Sequence, residues 1–176
     1  MSRNTPFPSP LWAPEGSPAR ARREKLPEWD LTDLFPAPDS PELAKAIKGA
    51  RKDSKAFEAR YQGKLAALDG GALAAAISEY EGLDEALSRV MSYAGLLYAG
   101  DMTDPDNGKF MQSMQETVTE ISSHLLFFGL EINRIEDDRL EAQLGESEAL
   151  RRYAPWLRDT RAYREHQLDD QLEKLL

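Results

Sequence analysis

Cysteine is absent from the 176 residues, which excludes disulfide scaffolds, thiolate zinc sites and cysteine nucleophiles and suits a reducing compartment. Aromatic residues make up only 9% of the chain against 30% charged, with a mean hydropathy of -0.58. That balance fits amphipathic helices with wet outer faces better than a β-rich core. Long apolar runs are missing too. A stretch such as Leu125–Leu130, "LLFFGL", falls far short of the ~20 residues a bilayer span needs. The proline-interrupted start offers no apolar segment for a signal peptide, so a soluble, cytoplasmic chain is expected.

Positive charge is also scarce: 22 Lys and Arg face 31 Asp and Glu, for a net charge of -9. An acidic field repels phosphate backbones, which argues against nucleic acid and anionic membranes as partners. The imbalance is uneven. Residues 1–25 carry five basic side chains (Arg3, Arg20, Arg22, Arg23, Lys25) and two acidic ones (Glu15, Glu24), leaving 17 basic against 29 acidic beyond.

What is present is helical periodicity. Residues 1–27 hold six of the 11 prolines and too little apolar density to offset chain entropy, so a disordered, Pro-rich basic leader is expected there. "LPEWDLTDLFP", Leu26–Pro36, places Trp29, Leu31, Leu34 and Phe35 in a short strap against a helical core. Ser40, Pro41 and Glu42 then supply a cap, a fixed φ and a dipole match. They open a first helix with the stripe Leu43, Ile47, Ala50, Ser54, Phe57, Tyr61, Leu65 and Leu68, ended by Asp69-Gly70-Gly71.

A second helix starts near Ala72 and carries Leu73, Ile77, Tyr80, Leu83, Leu87, Val90, Ala94 and Leu97, with Gly82 and Gly95 as weak points. The short turn between the two predicts an antiparallel hairpin. A third opens at Thr103 or Asp104 with Pro105 and runs unbroken through Met111, Met114, Val118, Ile121, Leu125, Phe128, Ile132 and Ile135. Shorter pieces follow: a turn or two around Leu140 and Leu144, a stop at Gly145, and a helix capped at Ser147 with Leu150, Tyr153 or Ala154, and Leu157 inward and Pro155 kinking or restarting it. "LDDQLEKLL" begins a last helix without a stop signal. The fold class is all-α: about five or six helices in long antiparallel hairpins.

The two histidines are the natural place to seek chemistry. His-Glu-x-x-His presents two imidazoles to a metal and a carboxylate to its water, and neither His124 nor His166 begins it. A di-iron bundle needs Glu-x-x-His, but Ile121 and Tyr163 stand where glutamate should. Glu120, His124 and Glu131 share a helical face beside the apolar stripe, where ion pairs are expected. His166 is expected in an interhelical turn, bonding the last carbonyls of the preceding helix. "DMTDPDNGK" fails as a calcium loop, since Asp106 takes the invariant glycine's place counting from Asp101 and Gln115 the glutamate's counting from Asp104. Arg151, Arg152, Arg158, Arg161 and Arg164 read as a solvated or interdomain face. No catalytic, cofactor-binding or metal-ligating residue is assigned.

Two stretches carry a resemblance. "EWDLTDLFP", Glu28–Pro36, is similar to the entry motif of oligoendopeptidase F-like M3-family zinc metallopeptidases. "YAPWLRDTRAYREHQLDDQLEKLL", with His166, Leu168, Glu173, Leu175 and Leu176 in matching places, resembles a later part of the same N-terminal region, and the helix order between them fits.

The resemblance implies that residues 28–176 are the helical N-terminal domain of a cytoplasmic zinc endopeptidase acting on short peptides. It implies further that zinc is held by a His-Glu-x-x-His helix and a later glutamate in a catalytic domain absent here. The chain is therefore expected to bind no metal, to be inactive alone, and to have that catalytic domain as its partner. Long hairpins beside a zinc cleft would admit short peptides and reject folded proteins. The competing reading is a stand-alone helical protein–protein interaction module whose hairpins display a groove for another helix.

Overall fold

The computed structural model describes residues 29–162, 164–168 and 170–173, and among them the architecture is all-α with no strand. The expected leader, residues 1–27, lies outside the described residues, as do Leu175 and Leu176. Helix α1, Pro41–Tyr61, begins as its sequence dictates, with Ser40 Oγ accepting from the Leu43 N–H at 3.3 Å and Pro41 in the first turn. Its buried stripe is Leu43, Ala50, Ser54 and Phe57.

The end of α1 departs from expectation. The helix stops at Tyr61 because Gly63 takes a left-handed φ of 76°, a conformation glycine adopts without the Cβ clash. Lys64 Nζ donates to the final carbonyls of Ala59 and Arg60. A 3-10 turn over Leu65–Ala67 follows, with Leu65 fully buried. Asp69-Gly70-Gly71 is thus a start, not a stop: Asp69 Oδ1 accepts from the Ala72 N–H at 2.7 Å and caps α2, Gly70–Gly100. Gly82 and Gly95 interrupt nothing, and packing along the helix overrides their low propensity.

Helices α1 and α2 form the expected antiparallel hairpin. At the far end of α1, Arg60 and Tyr61 both reach Glu79 early in α2. At its near end, the strap meets Arg89 and Tyr93 late in α2. Helix α3, Pro105–Ser122, turns back after a double cap: Asp101 accepts from the Thr103 N–H and hydroxyl, and Asp104 from the Asp106 N–H. Phe110 of α3 meets Tyr93 edge to face at 6.0 Å.

The third stripe is not one helix. Ser122 and Ser123 hydroxyls donate back to the carbonyls of Thr119 and Glu120, and His124 and Leu125 N–H groups bond three residues back to Ile121 and Ser122. Such serine back-bonding and i→i-3 tightening bends a helix. A separate α4, Leu126–Arg134, continues the stripe. Its apolar spacing survives the break, since Ile121, Leu125, Phe128, Ile132 and Ile135 are all buried.

The remaining helices are α5, Asp137–Glu146; α6, Glu148–Arg151, capped by Ser147 Oγ; α7, Ala154–Arg161; and α8, Asp170–Glu173. Gly145 lies inside α5. Pro155 restarts the chain in the first turn of α7, where its missing N–H has no intrahelical role. Among the described residues there are eight helices against the expected five or six, the additions coming from the break before α4 and from the division of the Ser147-capped segment into α6 and α7.

The core gathers where α1, α2 and α4 meet. Phe57 lies 5.2 Å from Phe128, Tyr80 stacks on Phe128 at 4.7 Å, and Trp156 approaches Tyr80 at 6.4 Å. Full burial of Phe57 and of Phe128 contributes about 1.5–3 kcal/mol each. Burial also pushes the Tyr80 phenol above its ordinary pKa, with the Asp84 charge adding to the shift. Among the described residues, no helix is long and apolar enough to cross a membrane.

Candidate functional site

The strap, residues 29–36, is built by an Asx turn: Asp30 Oδ1 accepts from the Thr32 N–H at 3.0 Å and its hydroxyl at 2.6 Å. Phe35 is buried, edge-on to Tyr93 at 5.5 Å. Arg89 fixes the strap from α2, donating to the Asp33 and Leu34 carbonyls while its guanidinium lies 4.9 Å from the Phe35 ring centre. That combination of backbone bonding and cation–π contact suits a planar guanidinium. Trp29, expected to pack inward with the others, is 64% exposed. It precedes the turn that aims Leu31, Leu34 and Phe35 at the core.

Beside the strap, α1 and α2 leave an open groove of about 770 Å³. Its floor includes Ala46, Gly49, Ala50, Gly82 and Ala86, and its rim carries Glu42, Asp53 and Glu79 together with Lys45 and Arg89. A Cβ placed on Gly49 or Gly82 would meet nothing within 4 Å. The groove is therefore unfilled by the chain's own described side chains.

The shared face of Glu120, His124 and Glu131 is divided among three partners across the seam with α1. Glu120 pairs with Arg51 at 2.8 Å, and His124 Nδ1 shares a 2.6 Å hydrogen bond with Glu58 Oε2. Glu131 accepts the Gly63 N–H at 2.5 Å. Each group is committed to a structural neighbour at the core margin, and His124 lies in the break between α3, which carries Glu120, and α4, which carries Glu131. Among the described residues no group of three or more His, Asp or Glu is placed to hold a metal ion. These residues do not fit a zinc centre.

His166 occupies a 3-10 turn, Arg164–His166, between α7 and α8 and is exposed. Its neighbour makes a different carbonyl contact from the one expected of His166: Gln167 Nε2 donates to the Leu130 carbonyl of α4 at 3.3 Å. Glu173 Oε1 accepts the Leu168 N–H at 2.8 Å and so closes the start of α8. Leu168 and Leu172 are 44% and 46% exposed.

The arginine run is divided in role. Arg158 is solvated beside Asp159, as expected of a wet face. Arg151 instead donates to the Leu144 and Gly145 carbonyls at the end of α5. Arg161, only 11% exposed at its side chain, donates to the Ile132 carbonyl and pairs with Asp137, which Arg164 also approaches at 3.2 Å. Basic side chains at helix C-termini satisfy orphan carbonyls and oppose the dipole. The same device appears where sequence reading found nothing: Arg139 reaches the Ala66 and Leu68 carbonyls, and Gln143 also reaches Leu68. Only its partners, distant in sequence, give Arg139 its role.

From Glu131 onward, these carbonyl clamps, the Ser147 cap and the buried Leu150 and Leu157 form one continuous packed stretch. Residues 131–176 match the family model of the N-terminal region of M3 peptidases, described as Oligopeptidase F. This stretch is similar to that family. The oligopeptidase F match spans α5 to α8 and the last residues of α4, and does not include the entry motif Glu28–Pro36. No curated protein and no solved structure matches the chain. In this oligopeptidase F-like part, Tyr153 donates to Glu81 of α2 at 2.7 Å, and this bond to a carboxylate holds its phenol above the ordinary pKa.

Proposed function

We propose that residues 28–176 act as the helical N-terminal region of a zinc-dependent metalloendopeptidase that hydrolyses short peptides. The family match over residues 131–176 carries this reading. In it, peptide hydrolysis belongs to an M3-type catalytic domain that this region contacts, while the helices contribute a rigid wall beside the cleft. The hairpin of α1 and α2 and the aromatic core beneath it suit that task, because a packed helical wall yields little to a folded substrate.

The interaction-module reading drew its support from the clean third stripe. That stripe is buried within the fold from Ile121 to Ile135, so it is not available to a partner helix, and the peptidase reading is preferred.

The test has two arms. The purified 176-residue chain, given zinc and a quenched fluorogenic peptide, is expected to show no chelator-sensitive cleavage; such cleavage overturns the assignment of hydrolysis elsewhere. Residues 28–176 joined to an M3-type catalytic domain should favour short peptides over a folded protein of the same cleavage sequence. Unchanged selectivity after their deletion overturns the wall.

A further inference from the structure

We propose that Asn107 is a site of spontaneous deamidation and that the carboxylate it yields unties the turn between α2 and α3. The inference is independent of the peptidase reading.

The chemistry starts from the sequence. The chain has three asparagines, and Asn107 is the one followed by glycine, Asn4 preceding Thr5 and Asn133 preceding Arg134. The backbone nitrogen of Gly108, on losing its proton to solvent base, attacks Asn107 Cγ. A C–N bond forms, the Cγ–Nδ2 bond breaks, and the leaving nitrogen takes a proton from water and departs as ammonia. One water then opens the resulting succinimide, at Cγ to give aspartate or at the main-chain carbonyl to give isoaspartate, whose chain runs through Cβ. Water is the one co-reactant, and nothing is oxidised or reduced. Glycine favours the ring closure because no Cβ restricts the backbone that must turn toward Cγ.

The fold leaves the pair free to react. Asn107 and Gly108 lie in the first turn of α3, and Asp101, Asp104 and Asp106 before them are exposed. The Gly108 N–H is held by the Asp104 carbonyl at 3.4 Å, longer than an ordinary N–H···O bond. Amides at a helix end open at little free-energy cost, so the helical backbone that keeps the Gly108 nitrogen from Cγ is readily left. Asn133, by contrast, is buried near the end of α4. The consequence follows from one bond: Asn107 Nδ2 donates to the main-chain carbonyl of Asp101, the C-cap of α2, at 3.2 Å. A carboxylate has no proton to donate, and at this place it meets that carbonyl and the negative end of the α2 dipole. The α3 dipole favours a negative charge in its first turn and offsets part of the loss. Isoaspartate also adds a backbone atom, which breaks the hydrogen-bond register of that turn.

The test holds the full chain in mildly alkaline buffer over weeks, then digests it for mass spectrometry, with released ammonia measured in parallel. The peptide containing Asn107 should gain the amide-to-acid mass difference and accept methyl groups from an isoaspartyl methyltransferase, while the Asn133 peptide should not. Gly108→Ala, whose Cβ would meet the Tyr98 ring at an ordinary 3.8 Å, should slow conversion on the order of tenfold. Asn107→Gln, which needs a larger ring, should stop it. Hydrogen exchange of the first α3 amides should speed roughly two- to tenfold, the factor for one ordinary hydrogen bond, in the converted chain and in Asn107→Asp. An unchanged Asn107 peptide in the folded chain overturns the site, as does equal conversion of Asn133. Conversion with unaltered exchange in the first turn of α3 overturns the untying.

Discussion

Gly70, the first residue of α2, lies so close to the backbone carbonyl of Gln143 in α5 that a Cβ at position 70 would overlap it. Its N–H donates to Glu146 Oε2 at 3.1 Å, and Gln143 Nε2 donates to the Leu68 carbonyl two residues earlier. Here α5 is seated on the head of α2, and a backbone carbonyl cannot swing aside as a side chain can. Gly70→Ala should lower unfolding free energy by about 1–3 kcal/mol, as overpacking does, read as a fall in the urea midpoint at unchanged slope.

Gly49 and Gly82 should behave oppositely. Both lie in helix interiors with space around an added methyl. Alanine there restricts the unfolded chain without straining the folded one, so each substitution should raise stability by about 0.4–1 kcal/mol. Comparing the three glycines in one denaturant series separates close packing from helix propensity.

These glycines also show what the sequence could and could not reveal. Caps at Ser40, Asp104 and Ser147 were legible because their partners are two or three residues away. Most of the buried stripe was legible because period and burial coincide. The end of α1 was not, because the glycine that matters is Gly63, whose N–H is satisfied by Glu131, 68 residues later. The break before α4 was hidden for a related reason: an apolar stripe keeps its spacing across a bend, while Ser122 and Ser123 form the bend. The exposed Trp29 was missed because aromatic content alone does not tell which side of a turn a residue occupies. For the candidate site, the shared face of Glu120, His124 and Glu131 was legible, whereas their partners on α1 and in the Gly63 turn come from tertiary packing.

Glu131 should accordingly be a stability residue. Its carboxylate receives the N–H of Gly63 in the turn that ends α1, and hydrogen bonds to charged acceptors contribute about 1.5–3 kcal/mol. Glu131→Ala should lower the urea midpoint by that order and speed hydrogen exchange at Gly63 specifically. Normal protection at Gly63 in the variant would show that the turn holds without it.

The Asp101 carboxyl should titrate below the ordinary aspartate range. The Thr103 hydroxyl, then the Thr103 N–H, donate to it and favour the charged form, lowering its pKa from 3.8. A depressed carboxyl pKa contributes stability above the unfolded value and loses it as pH falls through the folded one, so the effect is confined to the acid side of 3.8. Thr103→Val removes the larger cause and should move the Asp101 carboxyl signal's midpoint upward in an NMR titration.

Arg161 ties the family-matched stretch to itself and to α4. Its largely buried guanidinium donates to the Ile132 carbonyl at the end of α4 and to Asp137 at the start of α5. Arg161→Ala would leave that carbonyl only the long 3.4 Å bond from the Ile135 N–H, with a loss of about 1.5–3 kcal/mol for a hydrogen bond to a charged group. Arg161→Lys should recover only part of this, because one ammonium on a flexible stem does not reproduce a planar fork serving two acceptors. By contrast Arg158→Ala, whose pair with Asp159 is exposed on both sides, should shift the midpoint little. Equal effects at positions 158 and 161 would mean that the solvated-face reading applies to the whole arginine run and that the carbonyl clamp contributes nothing measurable.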